Sequence, residues 1–283
     1  MAITDNVAFI FNNVVEKSTI TCNNESASLP ASNIKNSYKS KPYRSSTLSS
    51  STITGILGTA SRIDCIAIVG HNIAEGSEVY LKLYDSSNVL QYTSPDLVNE
   101  GAFEILPWGD LDWGYDPYGA AVDALDNAVA EFYFPDNQVQ TKKWELLIVN
   151  PIATIGNYTQ IRKLFLGMAF RPKFNFSLGY SFRLMDDAKL DRTSTGVLLS
   201  DLFTIQYKSI DFDLSVIDEL DRSRLLTEMR IIGRSKDFFV SLFPESNTTK
   251  KFQYRMLAKL ADAPDIIEKY SDYYSTTIRL EEA

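Results

Sequence analysis

The feature that most constrains the fold is a succession of short segments rich in Val, Ile, Tyr and Phe and bounded by Asn, Gly, Ser or Pro. In the first half of the chain these segments are 6–15, 18–23, 52–58, 62–72, 78–85, 130–136 and 144–151. Such segments are typical of strands, and their spacing predicts a β-sandwich. Val79, Leu81 and Leu83 alternate along one face, whereas 63–70 is almost continuously apolar. The continuous run predicts a central strand covered on both faces.

The second half mixes strands with one helix. Residues 160–172 suggest a strand pair, and 196–217 alternate over a long span. With one bulge, this span predicts the inward positions Ile205, Tyr207, Ile210, Phe212 and Leu214. The segment 218–235 carries the only strong helix signal, because apolar residues recur at helical spacing before Gly233. The helical positions are Leu220, Leu225, Met229 and Ile232.

Three further strands are predicted after the helix, in 237–244, 252–262 and 273–283. The pattern is therefore mainly β, with a small α+β or barrel-like domain following the sandwich. Turn residues and few charges mark 151–160 as the boundary region. We accordingly place the domains at 1–158 and 159–283.

Composition narrows the functional classes. The 283 residues are 45% hydrophobic and carry a formal net charge of −8, which argues against a general nucleic-acid binder. No apolar run approaches the roughly 20 residues needed to cross a bilayer, and Asp5 stands where a signal peptide would be basic. We expect no membrane insertion. Cys22 and Cys65 lack metal or redox spacing, so free thiols are favoured and a disulfide between them is left open.

No catalytic motif is evident. The chain has one histidine, His71, which follows a predicted central strand and suits a polar cap. There is no nucleophile elbow, phosphate loop, dinucleotide fingerprint or zinc spacing. Acidic residues are plentiful, so a two-carboxylate glycosidase stays open, although nothing singles out a pair. We predict a non-enzyme without cofactor or metal.

The stretch 107–119, PWGDLDWGYDPYG, is the most distinctive in the chain. Trp108, Trp113 and Tyr115 offer flat apolar faces, and Asp110 and Asp112 offer acceptors, which is the chemistry of sugar recognition. Aromatic residues on a long loop also anchor it to its own domain or to a neighbouring subunit. The second interpretation is favoured. The aspartate spacing only partly matches a calcium loop, because the required glycine and glutamate are missing.

Several short motifs resemble a known family. Ala31-Ser32-Asn33, Tyr43-Arg44-Ser45 and the run IDCIAIVGHNI at 63–73 resemble the discoidin or galactose-binding-like sandwich of long-tailed phage tail-tip proteins, with Tyr43 in place of the usual Trp. The resemblance implies a galactose-binding-like fold for 1–158. Arg44 would stack and pair with a carboxylate inside the sandwich, or it would reach a ligand; the structural role is favoured.

The second half resembles the ring-forming domain of phage distal tail proteins, from 161–172 through the helix to 273–283. This implies a virion protein of the tail tip, assembled in the host cytoplasm, whose ring joins the tail tube to the tip or baseplate. A sixfold homo-oligomer is favoured, and a threefold one is the alternative. Expected partners are the tail tube, the tip or hub protein and side fibres. The alternative function is a carbohydrate-binding receptor-recognition protein that contacts a host surface glycan.

Overall fold

The computed structural model describes residues 6–38, 40–74, 76–97, 129–134, 136, 138–153, 156–186, 188–192, 194–200, 206–244 and 254–283. Within these residues the predicted fold class is confirmed: the chain is mainly β, with one α-helix, α1 (Glu219–Ile232). The strands are β1 (Ala8–Ile10), β2 (Ser18–Cys22), β3 (Tyr43–Arg44), β4 (Ser51–Ile63), β5 (Cys65–His71), β6 (Glu78–Tyr84), β7 (Leu90–Thr93), β8 (Val129–Tyr133), β9 (Val139–Val149), β10 (Gln160–Gly167), β11 (Ser181–Asp186), β12 (Leu190–Arg192), β13 (Leu198–Ser200), β14 (Gln206–Asp218), β15 (Phe238–Ser241), β16 (Arg255–Leu260), β17 (Ile266–Tyr270) and β18 (Tyr273–Glu282).

The chain divides into two compact units. The N-terminal unit comprises Asn12–Ala169, and the C-terminal unit comprises Phe170–Ala283 together with the stretch that ends at Phe11 and carries β1. This division differs from the predicted boundary between 158 and 159, because β10 pairs with β3 and β5 and so belongs to the sandwich. The segment expected to hold a strand pair therefore contributes one long strand to the first unit.

The N-terminal unit is a sandwich of two antiparallel sheets. One sheet has the order β2-β4-β9-β6-β7 and the other β3-β10-β5-β8. Side chains from both sheets share one core, because alternate residues of each strand point to the same face. The core members from the central strands are Ile53, Leu57, Ile66, Ile68, Val79, Leu81, Leu83, Trp144, Leu146, Ile148, Leu164 and Leu166.

Two predictions about this unit are confirmed. Val79, Leu81 and Leu83 are buried, while the alternate residues of β6 are only half-buried. Every residue of β5 is buried, as expected for a strand between β10 and β8 that is covered on both faces. Cys22 and Cys65 are not joined by a disulfide.

The C-terminal unit is built on a seven-stranded antiparallel sheet. Its order is β1-β15-β16-β18-β14-β11, and β17 pairs with β18. Strands β12 and β13 form a separate hairpin. Ile210, Phe212 and Leu214 are buried as predicted, but the irregularity in β14 falls between Leu214 and Ile217. Tyr207 therefore lies on the face opposite Ile210, because no bulge separates them to change the alternation; Ile205 lies outside the described residues.

The helix begins and ends where the sequence predicts. Asp218 caps α1 by accepting a hydrogen bond from the backbone N–H of Asp221 at 2.9 Å, and Gly233 ends it with φ of 53°. Leu225 and Ile232 are buried. Leu220, expected on the apolar face, is instead 81% exposed. No helix among the described residues has the length and apolar character that spanning a membrane requires.

Candidate functional site

Arg44 is the predicted contact residue that the structure describes. It lies on the two-residue strand β3, which is held against β10 by pairing of Arg44 with Gln160. The half-buried guanidinium lies over the ring of Tyr158, with Cζ 4.0 Å from the ring centroid, and Nη2 donates to Gln160 Oε1 at 2.9 Å. The stacking expected of Arg44 is therefore present, but its hydrogen-bonded partner is an amide where a carboxylate was predicted.

The segment that carries Tyr158 is fixed by Asn72, which follows β5. Asn72 Nδ2 donates to the carbonyl oxygen of Tyr158 at 2.8 Å, and Asn72 Oδ1 accepts from the backbone N–H of Gln160 at 2.6 Å. The sequence does not connect Arg44 with Tyr158, Gln160 or Asn72, because these residues are distant from it in the chain. Only the order of strands in the sheet brings them together.

Arg44 as a whole is half-buried. Its Nε is buried and has no hydrogen-bond partner among the described residues. A guanidinium beside an aromatic face presents planar donors and an apolar surface at the same place, which suits a carboxylate or a sugar hydroxyl. The cluster of Arg44, Tyr158 and Gln160 is therefore the candidate ligand contact of the N-terminal unit.

The neighbouring tyrosine has a structural role. Tyr43 is buried, its hydroxyl lies 3.3 Å from Cys22 Sγ, and it donates to the carbonyl oxygen of Asn24 at 3.2 Å. Burial and the Cys22 thiol raise the pKa of Tyr43 well above its ordinary value. This phenol remains neutral and fixes the loop before β3.

The remaining predicted contact residues lie outside the described residues: Trp108, Asp110, Asp112, Trp113 and Tyr115. His71, at the end of β5, is buried, and its Nδ1 accepts the backbone N–H of Ile73 at 3.3 Å. This contact is of the kind expected for a histidine that caps the end of a strand.

The C-terminal unit has a surface of a different kind, formed by strands whose apolar side chains are exposed to solvent. Seven large apolar side chains between 182 and 199 are exposed, and every described residue of β12 and β13 is exposed. β11 pairs with β14 along one edge and lies at the end of the sheet order. The seven side chains are Phe182, Leu184, Met185, Leu190, Val197, Leu198 and Leu199. The part of this surface in 181–192 was missed because these residues do not form an uninterrupted alternating run.

A polar pocket of about 340 Å³ lies elsewhere on the same unit, beside β14, β17 and β18. Three of its charged side chains have partners within the unit: Arg279 Nη1 lies 3.0 Å from Asp262 Oδ2, and Thr277 Oγ1 donates to Asp213 Oδ1 at 2.6 Å. Asp265 and Lys269 also line the pocket. Within the described part of the chain, no group of His, Cys, Asp or Glu is arranged to hold a metal ion.

Comparison with known proteins gives no family. No family model and no curated protein matches the chain. Solved structures that superpose on part of it include a family 32 carbohydrate-binding module of Clostridium perfringens in complex with GalNAc-β-1,3-galactose, at 12% identity and a TM-score of 0.38. The alignment covers 56% of this chain and 100% of that one.

Two further modules superpose comparably. The family 32 module of C. perfringens NanJ, in complex with galactose, is 14% identical with a TM-score of 0.38, covering 56% of this chain and 98% of that one. A chitosan-binding module of a Paenibacillus chitosanase/glucanase is 11% identical with a TM-score of 0.37, covering 56% and 99%. Superposition at this level carries no argument about ligand or function.

Proposed function

We propose that this chain is a structural protein of a phage tail tip or related tail-like particle, and that its C-terminal unit assembles copies into a ring. The observation that supports self-assembly is the exposed apolar surface between 182 and 199. The sequence resemblance to distal tail proteins supports the tail-tip setting. The ring would join tail tube to tip or baseplate, with sixfold symmetry favoured and threefold symmetry as the alternative.

The physical argument starts from what an isolated copy leaves uncovered. A two-stranded hairpin is marginally stable in water unless other structure packs against it. An edge strand such as β11 presents unpaired backbone groups that favour association with another chain. Assembly around a rotation axis covers both features in every copy at once. A monomer leaves both of them exposed to water.

In this proposal the N-terminal sandwich attaches other tail proteins to the ring. The protein has no catalytic activity. Partners would be the tail tube, the tip or hub protein and side fibres. From Leu83 to Thr141 the sequence contains no Lys or Arg, and this acidic stretch would suit a basic partner surface. Turnover of a host glycan by the purified protein would contradict this assignment.

The test is native mass across a concentration series, measured by multi-angle light scattering and followed by negative-stain electron microscopy. We expect a discrete oligomer of three or six copies that appears as a ring. A chain that stays monomeric at every concentration contradicts self-assembly. A continuous rise in mass without a plateau contradicts ring closure, because open head-to-tail contacts produce filaments.

Carbohydrate recognition by the N-terminal unit is the second candidate, favoured by the half-buried guanidinium of Arg44 stacked on Tyr158. A glycan array followed by calorimetry tests it. We expect Arg44→Ala and Trp113→Ala to abolish binding, whereas Arg62→Ala, which removes an exposed arginine of the same unit, should not. Absence of binding to any glycan leaves the assembly role as the function.

A further inference from the structure

We propose that the ring contact is made head to tail, with an apolar arm of one copy packed on the exposed side of helix α1 of the next. The arm is defined as β11, β12 and β13 with Val197. This inference rests on the proposed self-assembly and adds the two surfaces that meet. Both surfaces lie in the C-terminal unit.

The arm is apolar where an isolated protein should be polar. Leu190 is 63% exposed and Leu198 is 53% exposed, on opposite strands of one hairpin. The fold gives this hairpin no described cover of its own, since β12 and β13 pair only with each other. Exposing leucine side chains to water in this way is unfavourable, and covering them with another apolar surface lowers the free energy.

The exposed area is large enough to need a macromolecular partner. The seven exposed side chains of the arm amount to on the order of 600 Å² of surface, divided between the two faces of its strands because neighbours such as Leu198 and Leu199 alternate. A standard interface buries about 800 Å² on each partner. The arm therefore supplies most of one side of such an interface.

Helix α1 supplies the matching surface. Leu220, Leu226 and Ile231 are exposed on a helix that buries only Leu225 and Ile232. Leu220 and Ile231 are eleven residues apart, so they lie on nearly the same side and about 16 Å apart along the helix axis. This length matches a short strand of the arm. The helix thus presents a strip that is apolar at its two ends, at Leu220 and Ile231, with Arg224 and Thr227 between them on the same side.

One copy cannot satisfy both surfaces. β11 pairs with Gln206–Asp211, the first half of β14, whereas α1 starts after Asp218 at the other end of that strand. The thirteen residues of β14 span about 40 Å. From its start the helix leads toward β15, which is separated from β11 by three strands of the sheet. The arm therefore cannot reach the start of its own helix, and a second copy is the occupant that offers this strip.

Two different surfaces on one chain define a heterologous contact. Each copy gives its arm to one neighbour and its helix to the other, so the contact repeats until a rotation closes the ring. A twofold pairing of β11 with β11 would instead use the same surface on both copies and would stop at a dimer. These two arrangements respond differently to variants that each remove one surface.

The experiment uses the full chain and sedimentation velocity. The arm variant is Leu190→Ser with Leu198→Ser, and the helix variant is Leu220→Ser with Ile231→Ser. The matched control is Leu90→Ser, which removes a 48% exposed leucine from the N-terminal unit. All four positions are exposed, so thermal unfolding should be unchanged and loss of assembly will not reflect loss of folding.

We expect each double variant to raise the dissociation constant about 30-fold, since two half-exposed apolar side chains no longer gain burial. An equal mixture of the two variants should form one-to-one dimers and nothing larger, because the mixture offers one intact arm and one intact helix per pair. The control should assemble like the unaltered protein. An equal mixture that stays monomeric overturns the proposed contact.

The outcomes separate this inference from the proposed function. If the unaltered protein forms a ring and the arm variant forms it equally well, the docking contact is overturned and self-assembly stands. If the unaltered protein stops at a dimer, the heterologous contact is overturned in favour of a twofold one or a different partner. A chain that remains monomeric overturns both proposals.

Discussion

Replacing Gly55 by alanine should disrupt the sandwich, because the indole of Trp144 occupies the space that a side chain would need. The two residues pair across β4 and β9. A Cβ atom at Gly55 would lie 2.1 Å from Cε2 and 2.2 Å from Cζ2 of Trp144. Carbon atoms in ordinary contact are about 3.5–4.0 Å apart, so the ring would have to retreat by more than about 1 Å.

The cost follows from how little room the ring has. Trp144 is fully buried, and its Nε1 donates to Ser18 Oγ at 3.2 Å. Overpacking of this kind costs about 1–3 kcal/mol, and a displaced indole would lose a hydrogen bond with a net contribution of about 1 kcal/mol. Alanine is favoured over glycine in a strand, and this preference offsets about 0.5–1 kcal/mol of that cost. We expect Gly55→Ala to destabilise the N-terminal unit by about 2–3 kcal/mol.

Equilibrium unfolding in urea measures this difference. All three tryptophans of the chain fall within Asn12–Ala169, so their fluorescence reports on the N-terminal unit. Gly58→Ala is the matched control, because it lies on the same strand and its added Cβ would meet nothing within 4 Å. This control should be neutral or slightly stabilising.

A second part of the experiment tests whether the clash with Trp144 causes the destabilisation. In a Trp144→Leu background the clash is removed, so Gly55→Ala should cost about 0–0.5 kcal/mol there, giving a coupling energy of about 2–3 kcal/mol between the two positions. The reasoning is refuted if Gly55→Ala costs as little as Gly58→Ala. It is also refuted if the cost persists unchanged in the Trp144→Leu background.

Two further predictions concern a helix cap and a tyrosine. Asp218→Ala removes the side chain that accepts from Asp221 N–H, so denaturant unfolding of the C-terminal unit should show a loss of about 1 kcal/mol, and an unchanged midpoint would contradict the capping role. Burial and the hydrogen bond to Glu145 at 2.7 Å raise the pKa of Tyr84 from 10.0 to about 12. A raised pKa in the folded state means that this contribution to stability is complete below pH 10 and is lost as the pH rises through about 12. Tyr84→Phe should therefore decline less steeply between pH 10 and 12 than the unaltered chain, measured by urea unfolding at several pH values.

The Tyr84 side chain contacts both Lys143 and Glu145. Lys143 Nζ lies 2.7 Å from Glu145 Oε1 and 4.6 Å from the centre of the Tyr84 ring. Burial opposes ionisation of Glu145, but hydrogen bonds from Lys143 and Tyr84 lower its pKa overall. The three side chains form a polar network on the face of the sheet opposite the core.

Local pattern was enough to predict several elements. The helix was predicted because apolar residues recur at helical spacing before Gly233, a signal that acts within a few residues, and α1 ends beside Gly233. The burial of β5 was predicted because a strand covered on both faces must be apolar throughout. The alternation of Val79, Leu81 and Leu83 likewise reflects the two-residue period of a strand with one buried face.

Other features depended on contacts between distant residues. Tyr207 was assigned inward because a bulge was placed before Ile210, whereas the irregularity lies beyond Leu214. The partners of Arg44 could not be predicted, since Tyr158 and Gln160 reach it only through the pairing of β3 with β10. The division into compact units differs from the predicted one for a similar reason: β10 completes a sheet whose other strands lie much earlier in the chain.

The sequence by itself determined the mainly β class, helix α1 with its end at Gly233 and the identity of the central sandwich strand, because each depends on side-chain periodicity and turn chemistry over a few residues. Only the tertiary structure decided which leucines are left uncovered. Leu198 and Leu220 are residues of the kind found in cores, yet they are 53% and 81% exposed. Whether a side chain is buried depends on residues that come from elsewhere in the chain or from another copy. Sequence periodicity therefore does not reveal it.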